Sequence, residues 1–248
     1  QQRFGAPLQK IQYALIKSKG GMSGGTAHSM LNILKLAAAD TRVRKILTNP
    51  YALNPDPQKR GVDRADQSAV EFNKDIDRWT APFLMAGINT RIVRRSNALM
   101  DNQYGDDFSY TETMATGKGA TGYMAAKSIS AAIKSMAVMS FTGVGRTVLS
   151  KVLPAQGDGP KVDPADPGFY VIQFDGRTAA GEHLVGRLYG DGDPGYGSTS
   201  KMLAEAGLCV GQDKLSVGGG FWTPASAMGD PLLTRLQSKG GLKFEIIS

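Results

Sequence analysis

The chain has 248 residues, 41% of them hydrophobic and 21% charged, a length and balance that allow a substantial core and exclude a disordered or fibrous protein. Its 29 Lys and Arg against 22 Asp and Glu leave a formal charge of +7, but the basic residues are dispersed and not interleaved with aromatics, which argues against a nucleic-acid partner. A single cysteine, Cys209, excludes an internal disulfide and a Cys-based metal site, and points to a reducing compartment.

Along the chain, no secretory signal is visible at residues 1–10 and no apolar run is long enough to span a bilayer; with no initiator Met, the expectation is either a natural start upstream of Gln1 or processing. Residues 11–17 alternate loosely between apolar and polar and predict a strand. The glycine-rich turn Gly20-Gly21-Met22-Ser23-Gly24-Gly25-Thr26 follows, and then a helix with Met30, Leu31, Ile33, Leu34 and Leu36 as its apolar stripe. Residues 51–66, with Asn-Pro-Asp-Pro and a run of charges, predict an exposed loop. A helix is expected over residues 79–100, with Ala81 and Pro82 in its first turn, and Phe83, Met85, Ile88, Ile92 and Leu99 on its buried side. Residues 104–113 predict a strand.

Residues 122–152 form the longest apolar helical pattern, rich in Met and interrupted at Gly143 and Gly145, where a bend or break is expected. A polar surface loop is expected near 154–167, then a hairpin of two strands over 169–174 and 183–189. A helix over 198–206 ended by Gly207, a helix over 231–238 and a last strand over 242–247 complete the pattern. This order predicts an α+β fold with a mixed, largely antiparallel sheet packed with helices.

The turn at residues 20–26 is a candidate anion-facing element. Glycines at a strand-to-helix junction let backbone N–H groups approach an anion, and Ser23, Gly24, Gly25 and Thr26 stand at the helix N-terminus. The same residues can simply cap the helix, and the turn matches neither G-x-G-x-x-G nor a P-loop. Arg91 and Arg95, at i, i+4 spacing, with Arg94 beside them, are candidates for a carboxylate or phosphate clamp; the alternative is pairing with nearby acids such as Asp106 and Asp107. His28, in the first turn after the glycine loop, and Tyr104 and Tyr196 are candidate proton donors. His28 and His183 lack the spacing of a zinc site, so no metal is expected. The Met-rich segment is expected to be a core helix, or else an apolar surface for lipid, flanked by Lys127, Lys134, Arg146 and Lys151.

The turn at residues 20–26, the stretch from Ala81-Pro82-Phe83 to Ile88-Asn89-Thr90-Arg91-Ile92-Val93-Arg94-Arg95-Ser96-Asn97-Ala98-Leu99, and Tyr104-Gly105 resemble the second half of the saccharopine dehydrogenase-like oxidoreductases. The endings Gly218-Gly219-Gly220-Phe221-Trp222-Thr223-Pro224-Ala225-Ser226-Ala227 and Phe244-Glu245-Ile246-Ile247-Ser248 are similar as well. This group is similar to trans-acting enoyl reductases of lipid synthesis and to animal proteins associated with membranes and lipid droplets. The resemblance implies that residues 1–248 are a carboxy-terminal substrate and dimerisation domain, and that the amino-terminal Rossmann domain binding NAD or NADP is absent. It further implies a lipid-like or acyl substrate, a homodimer, and a cytoplasmic protein with peripheral membrane contact. No cofactor is expected to bind this chain alone; the competing expectation is a non-catalytic lipid- or partner-binding or dimerisation module.

Overall fold

The computed structural model describes residues 4–56, 58, 60–63, 65–159, 163 and 166–248. Fourteen elements follow one another: β1 (Leu8–Lys19), α1 (Gly24–Ala39), α2 (Thr41–Thr48), β2 (Glu71–Asn73), β3 (Arg78–Pro82), α3 (Ala86–Leu99) and β4 (Ser109–Gly117) in the first half. The second half contains α4 (Gly119–Ser140), α5 (Gly143–Val152), β5 (Phe169–Thr178), β6 (His183–Asp191), α6 (Gly197–Gln212), α7 (Pro224–Ser238) and β7 (Leu242–Ile246). The strands form one sheet in the order β2-β3-β4-β1-β5-β6-β7. β1 runs parallel to β4, and every other neighbouring pair is antiparallel. The α+β class and mixed, largely antiparallel sheet are as the sequence predicts.

Cross-strand register decides which side chains share a face. Tyr13 lies opposite both Glu112 and Phe174, and Leu15 opposite Met114 and Ile172, so these six point to one side. On β6 and β7 the same side carries Leu188 and Phe244. Tyr170, Ile172, Leu188 and Leu242 form the buried centre, with Met202 of α6 and Leu236 of α7 packed on it. A second cluster, Cys209, Met228 and Leu232, locks α6 to α7.

Several expectations are corrected. Residues 78–82 are strand, not the first turn of a helix: Thr80, Ala81 and Pro82 pair with Ala115, Met114 and Thr113, and α3 begins only at Ala86. Ile88 is exposed rather than core. The strand expected over 104–113 starts at Ser109, because Met100 to Phe108 make successive turns, with Asp101 and Asn102 at positive φ. α6 runs through Gly207 to Gln212 and is stopped at Asp213. α7 begins at Pro224, where Thr223 and Ser226 form a reciprocal capping box, and kinks at Gly229. Short β2 and α2 fall in stretches with no predicted element. The Met-rich segment is two helices, broken where Thr142 caps α5 by accepting from the Gly145 N–H at 3.0 Å. The loop near 154–167 lies in part outside the described residues.

Candidate functional site

α3 carries the arginines, and the segment from Leu47 to Asp66 wraps over them. Arg91 donates through Nη1 to Asp66 Oδ2 at 2.6 Å and through Nη2 to the Leu47 carbonyl at 2.8 Å. Arg94, only 3% exposed, donates through Nε to Asp63 Oδ2 at 2.8 Å, through Nη1 to Thr90 Oγ1 at 3.1 Å, and through Nη2 to the Tyr110 carbonyl at 3.0 Å. Its guanidinium also lies 5.6 Å from the Tyr51 ring. Asp63 is shared: its Oδ1 accepts from Ser109 Oγ at 2.6 Å. Arg95 bridges outward, donating to the Phe221 carbonyl at 2.7 Å and to the Leu53 carbonyl. The acids that meet the arginines are thus Asp63 and Asp66, not Asp106 and Asp107, which lie exposed past the end of α3. The arginine forks organise an otherwise irregular segment, a use for which their planar set of donors is suited.

On β4, whose Tyr110 carbonyl meets Arg94, Glu112 is only 3% exposed. Tyr110 Oη donates to Glu112 Oε1 at 2.9 Å, and Asn89 Nδ2 of α3 donates to Oε2 at 2.9 Å. Tyr13 stacks on Phe83 at 5.6 Å and meets Phe174 edge-on at 5.6 Å, closing the group on the β1 side. Burial raises the Glu112 carboxyl above the ordinary glutamate range, more than the two hydrogen bonds lower it. Burial and the Glu112 charge push the Tyr13 hydroxyl upward as well. The result is a carboxylic acid kept neutral to higher pH than an exposed one, fixed by two donors and flanked by a half-buried phenol. Such a group can hold a proton and give it up to a neighbouring atom. Glu112 and its partners were not among the sequence candidates. The available signal was the period-two phase of β4, which places a lone carboxylate between inward-facing Tyr110 and Met114.

Beside this network opens a cleft of about 580 Å³, with Tyr51, Asn54, Arg60, Arg94, Asn97 and Phe108 among its lining. Tyr104 lies next to it, its ring tilted against that of Phe108 at 5.1 Å, with its backbone N–H donating to Asn97 Oδ1 at 2.8 Å. Burial raises its hydroxyl pKa.

The glycine turn belongs to another part of the molecule. Ser23 Oγ accepts from the Thr26 N–H at 3.2 Å, and the Gly24 N–H donates to the Asp158 carbonyl at 2.8 Å. A β-carbon at Gly24 would run into the Ala155 carbonyl, so residues 155–158 lie across the turn. Tyr196, half exposed, stands over Gly25 and Gly159, next to the Asp193 side chain that accepts from the N–H groups of Gly195, Tyr196 and Gly197. His28 follows, partly exposed, on α1. Ser23 therefore caps α1, and with Gly24 covered by backbone the turn does not fit the phosphates of a nicotinamide nucleotide. The turn group (Ser23, Gly24, Gly25, Thr26, His28, Tyr196) and the α3 group (Arg91, Arg95, Tyr104) form two separate clusters; no described hydrogen bond, ion pair or ring contact joins them.

The chain resembles trans-acting enoyl reductases. It is 39% identical over 240 residues to a Mycobacterium tuberculosis (strain H37Rv) protein whose name assigns that role provisionally, an alignment covering 90% of this chain and 56% of the relative. It is 34% identical over 242 residues to the trans-acting enoyl reductase of Mycobacterium bovis and 32% over 241 residues to that of Mycobacterium leprae, again covering 90% of this chain and 56% of each relative. The chain thus spans about half the length of the curated relatives it matches. No family model matches the chain, and no solved structure is significantly similar to it.

Proposed function

We propose that the chain is the substrate-side part of an oxidoreductase that reduces the carbon–carbon double bond of an enoyl, α,β-unsaturated acyl, group. The observation that carries this reading is the similarity to enoyl reductases along 90% of the chain. Saturating an enoyl group requires a hydride at one carbon and a proton at the other. The hydride is the contribution of a nicotinamide nucleotide, NAD or NADP, held by polypeptide outside this chain. The proton side is where this chain's own residues come in. Glu112 is buried four residues along the chain from Phe108 of the cleft lining, with Tyr110 between them; burial favours its proton, Tyr110 and Asn89 fix the carboxyl's orientation, and Tyr13 is the adjoining phenol. Arg91 and Arg94 act at one remove, holding the Leu47 to Asp66 segment against α3 and so shaping the cleft wall.

The test is an NADPH-oxidation assay of the complete gene product with a short enoyl thioester. Turnover is expected, and Glu112→Gln, which preserves shape and can still meet both Asn89 and Tyr110, should lower kcat by roughly 10²-fold or more with KM little changed. If no enoyl thioester is reduced by the unaltered protein, the reading is wrong. If Glu112→Gln turns over like the parent, the proton role of Glu112 is wrong while the class of reaction stands.

A further inference from the structure

We propose that α4 and α5 form a helical hairpin that docks on an anionic phospholipid surface. α4 meets β3 and β4 through its small residues: Gly122, Ala126 and Ser130 are buried, and Thr116 Oγ1 donates to the Gly122 carbonyl at 2.8 Å. Towards its C-terminal end large side chains are left in the open, with Val138 69% and Phe141, its C-cap, 52% exposed. α5 buries only Gly145 and Leu149. Val144, Val148 and Val152 recur every four residues on one face of it, with Val144 79% and Val152 76% exposed. A row of exposed apolar side chains of this kind on a folded protein marks a contact surface.

Charge identifies the occupant. Between Thr113 and Gly157 the sequence has no Asp or Glu, while it has Lys118, Lys127, Lys134, Arg146 and Lys151. Lys118 is paired with Asp77, and Arg146 donates to the Ser140 carbonyl, tying α5 back to α4. Lys127, Lys134 and Lys151 are exposed. Helical spacing puts Lys127 and Lys134 on the flank of α4 that carries Val138 and Phe141, and Lys151, seven residues after Val144, beside the valine face of α5. Aliphatic side chains bordered by ammonium groups, with no carboxylate among them, match a layer of acyl chains under negatively charged headgroups. No helix among the described residues is long and apolar enough to cross a membrane, so the contact is interfacial. This inference is independent of the catalytic reading.

Flotation of the complete gene product with vesicles of phosphatidylcholine alone, and of phosphatidylcholine with about a third phosphatidylglycerol, tests it. Recovery with the anionic vesicles is expected, falling several-fold with the neutral ones and in high salt. The combined variant Val144→Ser, Val148→Ser, Val152→Ser should lose about ten-fold in recovery. Lys134→Glu with Lys151→Glu, which leaves the apolar face intact, should lose the preference for anionic vesicles. These positions are exposed, so thermal denaturation of the variants should match the parent. No flotation with either composition, or undiminished flotation of the valine variant, overturns the proposal. A dimer that separates in the valine variant without any vesicle binding assigns the face to a second copy and overturns it equally.

Discussion

Arg94 and Glu112 lie on facing elements and are almost equally buried, but their surroundings differ. Asp63 and three further oxygen acceptors surround the Arg94 fork. Removing it leaves Asp63, whose side chain is 6% exposed, as an uncompensated buried charge. Arg94→Met should therefore cost about 3–5 kcal/mol of stability, read from urea denaturation. A cost below about 1 kcal/mol would mean that the Asp63 contact is not held in solution. Glu112 instead meets mainly desolvation, and folding favours its neutral form. Its contribution is complete below the ordinary glutamate value of 4.5 and is lost as pH rises through the higher value it has in the folded protein. Relative to Glu112→Gln, the parent's urea midpoint should fall as pH is raised from about 4 to about 8, and a constant difference between the two would contradict a raised carboxyl pKa. Neither residue's role was legible from sequence spacing. The arginines suggested an anion clamp because their partners Asp63 and Asp66 come from a loop some 25 or more residues upstream, a closure that local spacing cannot encode.

Elements were legible where periodicity and turn chemistry agree, as in the β5–β6 hairpin and in the break between α4 and α5. They were misread where one cue stood for two structures. Ala81-Pro82 suits a helix N-terminus, but it also suits the end of a strand, and pairing with β4 decides in favour of the strand. Gly207 suits a helix stop, but it is accommodated inside α6 with no positive φ. This gives two glycines opposite predicted responses. At Gly207 a β-carbon meets nothing within 4 Å, so Gly207→Ala should stabilise by about 0.5–1 kcal/mol through helix propensity alone. At Gly122 a β-carbon would collide with the backbone of Gly117, which cannot swing away as a side chain does. Gly122→Ala should cost about 1–3 kcal/mol, since α4 must lift from β4 to make room. Thermal melts of the two single variants suffice, and equal shifts would refute the close packing of α4 on the strand that precedes it.

At the scale of the molecule, the sheet is assembled around β1. Its parallel partner β4 begins 90 residues beyond the end of β1 and its antiparallel partner β5 150 residues beyond, so the centre of the sheet forms only when distant parts of the chain meet. Parallel pairing requires such a crossover, and here the crossover carries the segment from Leu47 to Asp66 and α3, which places Arg91, Arg94 and Asn89 over β4. The site is thus a product of topology, which is why the sheet class was predictable from element order and the site was not. The same architecture sets a gradient of local stability. Backbone amides of β1 between Ile11 and Leu15 are bonded on both sides within the sheet and packed under Phe83 and Phe174, so their exchange with solvent requires unfolding of the whole. α5 buries only Gly145 and Leu149 and is tied to α4 by the Arg146 bond to the Ser140 carbonyl, so it can open without disturbing the sheet. Native-state hydrogen exchange should find β1 and β5 the slowest segments, with opening free energies equal to the global value from denaturation, and α5 faster by several orders of magnitude. Addition of anionic vesicles should slow α5 selectively while leaving β1 unchanged. Exchange of β1 at the rate of α5 would mean that the seven strands do not act as one cooperative sheet.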